Sequence, residues 1–125
     1  MSKKVLLIED DRWLGELQAD VLVQAGYDAR VATDALMAID MIDAQAPDVI
    51  VADVLLAGST IFTLLNELQS HTDTASIPVI LCTSIAEQFS TKQLQSYNVK
   101  RVVDKTTMSH DAVIVAIRVV TGNED

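Results

Sequence analysis

Short apolar runs alternate five times with longer amphipathic stretches along the chain. This alternation limits the possible folds more than any other feature of the sequence. The apolar runs are short and rich in β-branched residues, as are strands that a parallel sheet buries on both faces. The predicted strands are Lys4 to Ile8, Asp28 to Ala32, Val49 to Ala52, Pro78 to Cys82 and Arg101 to Asp104. Strands that alternate with helices indicate an α/β fold with a parallel, doubly covered sheet.

The stretches between the strands carry apolar residues at spacings of three and four, which predicts amphipathic helices. Four of the five predicted helices are Asp11 to Ala25, Ser59 to Gln69, Glu87 to Tyr97 and Ser109 to Thr121. The second helix of the five begins after an Asp34 cap, has Ala35, Ala38, Ile39 and Ile42 on its inward face and ends before Pro47. The inward face of the first helix is predicted to hold Leu14, Leu17, Val21 and Leu22, with Trp13 partly buried. The polar residues 71–76 predict a loop.

Length and charge narrow the class of protein. The 125 residues suit one domain, so residues 1–125 are expected to form a single unit around one core. A net charge of −9 opposes attraction to nucleic acid phosphates or anionic lipid. The apolar stretch after the N-terminal lysines is too short for a signal peptide or a membrane span, so the cytoplasm is the expected location.

Chemically active side chains follow four of the five predicted strands. These are Glu9, Asp10 and Asp11 after the first, Asp53 after the third, Thr83 and Ser84 after the fourth, and Lys105 after the fifth. The carboxyl ends of parallel strands share one edge of a sheet, and ligands bind at that edge where the strand order reverses. We therefore expect these side chains to form one site.

The acidic loop after the first strand indicates a cation rather than a nucleotide. A nucleotide-binding βα fold places glycines there, so that backbone amides can approach phosphate. Carboxylates instead suit a hard cation such as Mg²⁺ or Mn²⁺, here held by Glu9, Asp10 and Asp53. Asp53 would then be an oxygen nucleophile towards phosphorus, with Thr83 and Lys105 holding the phosphoryl oxygens.

These residues, in this order, resemble the receiver domains of bacterial response regulators, and the similarity spans essentially the whole chain. The resemblance implies a flavodoxin-like (βα)5 three-layer sandwich with a five-stranded parallel sheet in the order 2-1-3-4-5. It implies that Asp53 is phosphorylated, that Thr83 senses and Lys105 binds the phosphoryl group, and that Glu9, Asp10 and the backbone carbonyl of Leu55 bind the metal. Such a domain is a signalling phospho-acceptor rather than an enzyme acting on other molecules.

The sequence departs from the family pattern in several places. Ala57, Thr60 and Ile61 replace the proline, the second aspartate and the final glycine of the loop after the acceptor, so the conformation of that loop is left open. Thr106 replaces the proline after the lysine, and we expect a trans peptide there because a cis bond before threonine would cost about 3 kcal/mol. Val102 lies three residues before Lys105, where the family commonly has an aromatic residue that changes rotamer on activation.

Two further positions control the lifetime of a phosphorylated receiver, and here they are Leu55 and Ile85. Neither side chain can orient an attacking water, so self-dephosphorylation is expected to be slow.

The resemblance implies a sensor histidine kinase or a histidine phosphotransfer protein as the phosphoryl donor. The fifth helix is apolar on nearly all sides, which predicts a downstream protein or a second copy on the face made by helix four, strand five and helix five. Direct contact with nucleic acid or a membrane is not expected.

Two other functions compete with this interpretation. A degenerate receiver would bind proteins without being phosphorylated, which the loop departures and Thr106 favour and the intact acidic residues, threonine and lysine oppose. A phosphotransfer hydrolase on a related fold would show Asp-x-Asp directly after the first strand, and Glu9-Asp10-Asp11 lacks that spacing.

Overall fold

The computed structural model describes residues 2–56, 59–83, 91–104 and 111–122. In chain order the elements are β1 (Lys4–Ile8), α1 (Arg12–Gln24), β2 (Asp28–Ala32), α2 (Ala35–Ala44), β3 (Val49–Asp53), β4 (Leu55–Leu56), β5 (Ser59–Thr60), α3 (Ile61–Gln69), α4 (Thr72–Ala75), β6 (Val79–Thr83), α5 (Thr91–Ser96), β7 (Val99–Asp104) and α6 (Ala112–Thr121). Among these elements, no helix is both long and apolar enough to cross a membrane.

Five strands form one parallel sheet in the order β2-β1-β3-β6-β7. Numbered within this sheet alone, the order is 2-1-3-4-5, which confirms the predicted flavodoxin-like topology. All five predicted strands are present, although β3 and β6 each end one residue later than expected. The central strand β3 is buried from Val49 to Ala52, as continuous apolar strands of parallel sheets are.

The core consists of two apolar layers, one on each face of the sheet. On one face, Leu6, Ile50 and Leu81 pack with residues of α2 and α3. On the other face, Leu7, Val51 and Ile80 pack with residues of α1 and α6. This alternation of neighbouring side chains between the two faces produces the predicted three-layer sandwich.

Two aspartates fix the starts of the first two helices at the edge where β1 and β2 end. The Asp11 side chain accepts a hydrogen bond from the Leu14 N–H at 3.1 Å, and the Asp34 side chain accepts one from the Met37 N–H at 2.8 Å. Both residues are N-caps, which satisfy backbone donors that the first turn of a helix leaves unbonded. The predicted cap at Asp34 is confirmed.

The predicted inward face of α1 was wrong in two positions. Leu17 and Val21 are 44% and 41% exposed, and Trp13, expected to be partly buried, is 71% exposed. The buried line of α1 runs instead through Gly15 and Leu22. A Cβ at Gly15 would come within 2.8 Å of the Val31 side chain, so the missing side chain lets the helix approach the sheet on that line.

Two loop predictions also needed correction. Ser59 and Thr60, expected to begin the third helix, form β5 and pair antiparallel with β4, so α3 begins at Ile61. Residues 72–75 of the predicted polar loop form the single turn α4, in which the buried Thr74 hydroxyl donates to the Leu68 carbonyl at 2.6 Å. The starts predicted for the last two helices, at Glu87 and Ser109, lie outside the described residues.

Candidate site at the carboxyl edge of the sheet

The carboxyl end of β3 lies between two strands that also contribute candidate residues. Ile8 is the register partner of Ala52, so Glu9 follows β1 beside Asp53. On the other side, Asp53 is the partner of Cys82, and the next residue of β6 is Thr83. Asp53 therefore occupies the centre of this edge, flanked by an acidic residue on one side and a hydroxyl on the other.

Burial differs among these side chains. Glu9 and Thr83 are only 5% and 2% exposed, Asp53 is half-buried, and Asp10 is exposed. A half-buried carboxylate at a strand end is accessible to a reactant from solvent, while the backbone of the residue is held in the sheet. Asp10 follows Glu9 after the end of β1, so its exposed residue position belongs to the same edge of the sheet.

The first acidic residue is fixed by backbone contacts. The Glu9 N–H donates to the Ala32 carbonyl at 2.9 Å, and the Asp11 N–H donates to Glu9 Oε2 at 3.3 Å. Gly15 also packs here, since a Cβ at that position would lie 3.5 Å from the Glu9 Cβ. Sequence reasoning missed Gly15, although a glycine inside a helical pattern costs about 1 kcal/mol relative to alanine and so marks an unusual position.

The three predicted carboxylate ligands do not form a metal cage by themselves. Within residues 2–56, 59–83, 91–104 and 111–122, no three His, Cys, Asp or Glu side chains are placed to hold one metal ion. Glu9 Oε2 accepts a hydrogen bond from the Asp11 N–H instead. A cation at this edge would need oxygen atoms beyond the three carboxylates, and Mg²⁺ is usually bound in that way, by one or two carboxylates and several waters.

The hairpin after the acceptor leaves the backbone carbonyls of Leu55 and Thr60 facing away from the ladder between its two strands. Leu55 pairs with Thr60, and the Ile61 N–H donates to the Val54 carbonyl at 2.9 Å. Hydrogen-bonded and non-hydrogen-bonded pairs alternate along an antiparallel ladder, so Leu55 and Thr60 form a non-hydrogen-bonded pair. The Leu55 carbonyl, predicted to be a metal ligand, is therefore not used by the hairpin.

Strand β7, the last strand of the parallel sheet, ends at the same edge, because Thr83 is the register partner of Asp104. Lys105 follows Asp104 in the sequence but lies outside the described residues, as do Ser84, Ile85, Ala57 and Thr106. The structure thus brings Glu9, Asp10, Asp53 and Thr83 to one edge, while the predicted positions of Lys105 and of the trans peptide at Thr106 stay predictions.

A doubly covered parallel sheet of this order, with acidic side chains at its carboxyl edge, defines the class of flavodoxin-like signalling domains. The family model of the response regulator receiver domain matches residues 5–118, and the chain belongs to that family.

Curated relatives include larger regulators. The chain is 31% identical over 84 residues to the DNA-binding dual master transcriptional regulator RpaA of Synechocystis, an alignment that covers 67% of this chain and 35% of RpaA. It is 28% identical over 88 residues to the phosphate regulon transcriptional regulatory protein PhoB of Escherichia coli, covering 70% of this chain and 38% of PhoB. The alignments thus span little more than a third of these regulators.

Solved structures share the fold. The chemotaxis response regulator CheY4 of Vibrio cholerae superposes with a TM-score of 0.85 at 18% identity, covering 96% of this chain and 99% of that one. The receiver domain of the sensor histidine kinase PA1611 from Pseudomonas aeruginosa, which has a magnesium ion coordinated in its active site cleft, gives a TM-score of 0.83 at 18% identity, covering 98% of this chain and all of that one.

Proposed function

We propose that this receiver domain accepts a phosphoryl group on Asp53 in a reaction that depends on Mg²⁺. The observation that carries the proposal is the register of the central strand, which sets Asp53 between Glu9 and Thr83 at the carboxyl edge. Membership of the receiver family supports the same function.

The transfer step requires an oxygen nucleophile and a leaving group. A carboxylate oxygen of Asp53 attacks phosphorus, a new P–O bond forms, and the bond between phosphorus and the donor breaks with its electron pair going to the donor. The donor is a phosphohistidine nitrogen of a sensor kinase or phosphotransfer protein, or the acyl oxygen of a small acyl phosphate. Aspartyl phosphates of this type are established covalent intermediates.

The residues at this edge fit a magnesium ion held by oxygen atoms alone. We assign Asp10, Asp53 and the Leu55 carbonyl as ligands, with Glu9 supporting the cation from its buried position. When bound, the cation neutralises charge that develops on the phosphoryl oxygens. The magnesium ion in the PA1611 receiver domain supports this assignment for a domain of the same fold.

Thr83 and Lys105 complete the proposed mechanism. The Thr83 hydroxyl, at the end of β6 beside Asp53, would donate a hydrogen bond to the phosphoryl group, and the Lys105 ammonium would pair with its charge. Because Thr83 is almost fully buried, a movement of its hydroxyl towards phosphorus would disturb its packing. That disturbance would start the change from the resting to the active form.

The output would be read on the face made by α5, β7 and α6. Val115 and Val119, one turn apart on α6, are 46% and 61% exposed, so this helix has an apolar stripe that the described residues do not cover. A downstream protein or a second copy of the domain would bind there. We place the protein in the cytoplasm, where the donor kinase domains act, and its charge of −9 argues against direct binding to nucleic acid.

A degenerate, phosphorylation-independent receiver is the less favoured alternative, because Glu9, Asp10, Asp53 and Thr83 all reach one edge. The two functions separate in one assay. The protein is incubated with acetyl phosphate and either Mg²⁺ or EDTA, and its intact mass is measured. Our proposal predicts one added phosphoryl group with Mg²⁺ and none with EDTA, whereas the degenerate receiver would show no addition in either sample.

A further inference from the structure

The open edge of strand β2 has the features of a peptide-binding site. Among the described residues β2 pairs only with β1, through bonds such as Asp28 N–H to the Lys3 carbonyl and Glu9 N–H to the Ala32 carbonyl, both 2.9 Å. Successive residues of a strand turn their backbone groups to opposite sides, so Ala29 and Val31 direct their N–H and C=O groups away from β1. An edge of this kind is a template for an added strand.

Cavities lie on both faces of this same edge strand. One cavity, of about 380 Å³, lies between α1 and β2, and among its lining residues are Arg12, Glu16, Asp20, Ala29, Val31 and Met37. The other, of about 110 Å³, lies between β2 and α2, and among its lining residues are Leu6, Arg30, Met41 and Ala44. An extended segment added to β2 would point alternate side chains into these two cavities, which is how strand addition gains specificity.

The two cavities differ in chemistry. Glu16 and Asp20 lie one turn apart on α1 and face the larger cavity. The Arg12 guanidinium pairs with Glu16 at 3.5 Å, but both side chains are well exposed, and Asp20 forms no ion pair within the described part of the chain. The apolar part of the smaller cavity is lined by Leu6, Met41 and Ala44, while its charged lining consists of Lys4 and of Arg30 and Asp28, which pair with each other at 3.7 Å. A cationic side chain is therefore complementary to one cavity and an apolar side chain to the other.

We propose that the β2 edge binds an extended segment of a partner protein as a sixth strand of the sheet. The segment carries lysine or arginine side chains directed at Glu16 and Asp20, and apolar side chains directed at Met41 and Ala44. The net charge of −9 favours approach of a basic segment. This site lies two strands away from Asp53, across β1, and does not depend on phosphorylation.

The test uses the ¹⁵N-labelled full chain and a short peptide, blocked at both ends, with lysine at alternate positions and valine or threonine between them. The reference peptide carries glutamate in place of lysine. We expect saturable amide shifts, largest at Ala29 and Val31, with slowed hydrogen exchange at these two amides, and no saturation with the glutamate peptide. Equal binding of both peptides, shifts centred on Asp10 and Asp53, or no saturation with the lysine peptide would each overturn the proposal.

Two variants separate the backbone contribution from the charge contribution. Ala29→Pro removes an outward N–H at an edge position, where proline is tolerated, and should weaken binding about tenfold or more, whereas Ala29→Ser should bind like the native chain. Asp20→Asn should weaken binding about threefold, whereas Asp43→Asn, on α2 and outside both cavities, should not. Native affinity in Asp20→Asn contradicts the assigned charge contact, even if Ala29→Pro fails to fold.

Discussion

Asp53 lies opposite Cys82 in the parallel ladder between β3 and β6, and Thr83 is the residue that follows Cys82 on β6. This register joins the proposed nucleophile and the proposed sensing hydroxyl through the backbone of two adjacent strands. We therefore propose that Thr83 responds to a phosphoryl group on Asp53 by a movement of its own side chain.

Removal of the Thr83 hydroxyl should weaken the hold on the phosphoryl group. A hydrogen bond to a charged group contributes roughly 1.5–3 kcal/mol, so Thr83→Ala should lower the rate of phosphorylation by acetyl phosphate about tenfold or more. Thr83→Ser keeps the hydroxyl and should stay close to the native rate. If alanine and serine slow the reaction equally, the effect comes from packing of the buried side chain rather than from the hydrogen bond.

The two acidic residues after β1 should contribute unequally to Mg²⁺ affinity. Asp10→Asn removes an exposed carboxylate and should weaken binding roughly tenfold. Glu9→Gln should cost less, because its amide oxygen can still accept from the Asp11 N–H.

Titration of Mg²⁺ against the fluorescence of Trp13, the one tryptophan of the chain, measures these affinities. Trp13 lies in the first turn of α1, two residues after Asp11. Asp20→Asn is the matched control and should leave the midpoint unchanged. A larger loss in Glu9→Gln than in Asp10→Asn would reverse the assignment of the two residues.

Asp11 should act as a helix cap and not as a metal ligand. Its side chain accepts from the Leu14 N–H, so Asp11→Ala should lower the free energy of unfolding by about 1 kcal/mol, and Asp34→Ala should do the same at α2. Asparagine at either position should restore most of the loss. Urea denaturation measures these differences, and a marked fall in Mg²⁺ affinity of Asp11→Asn would instead indicate a third carboxylate at the metal.

The exposed stripe of α6 should affect association and not stability. Val119→Lys changes a side chain that is 61% exposed, and the free energy of unfolding should change by less than about 0.5 kcal/mol. The fully buried Ile117 on the same helix is the contrast, since Ile117→Ala should cost about 2–5 kcal/mol. If a second copy binds this stripe, analytical ultracentrifugation of the phosphorylated protein should show association that Val119→Lys abolishes; a monomer in both cases would leave a downstream protein as the partner and exclude self-association.

The phosphorylated state should be long-lived. Leu55 and Ile85 provide no hydrogen-bonding group for an attacking water, so release of phosphate should take far longer than seconds. The decay of the phosphorylated mass after removal of the donor measures the lifetime. Leu55→Asn introduces a polar side chain at one of these positions and should shorten it, and a native half-life of seconds would contradict the expectation.

The sequence predicted the sheet more fully than the helices. Buried strands such as Val49–Asp53 consist mainly of continuous β-branched and apolar residues, so their number and positions were accessible, whereas their order was implied by the resemblance to receiver domains. The inward face of α1 could not be predicted in the same way. Gly15 lets the helix approach Val31, and a pattern of apolar side chains does not show where a side chain is missing. The β4–β5 hairpin was also missed, because Ser59 and Thr60 suit the start of a helix as well as they suit a strand.

The sequence predicted which strand ends carry the candidate residues, but not the directions of their side chains. Glu9, Asp10, Asp53 and Thr83 all lie at the strand ends where topology places them. The direction of each carboxylate depends on local backbone donors, such as the Asp11 N–H that binds Glu9, and the sequence does not record these contacts.

The most direct measurement compares the intact mass of the native chain, Asp53→Asn and Asp48→Asn after incubation with acetyl phosphate and Mg²⁺. Asp48 precedes β3, at the opposite end of the strand from Asp53, and its side chain accepts from the Lys4 N–H. We expect one phosphoryl group on the native chain and on Asp48→Asn, and none on Asp53→Asn. Phosphorylation of Asp53→Asn to the native extent, or no phosphorylation of the native chain, would contradict phosphoryl acceptance by Asp53.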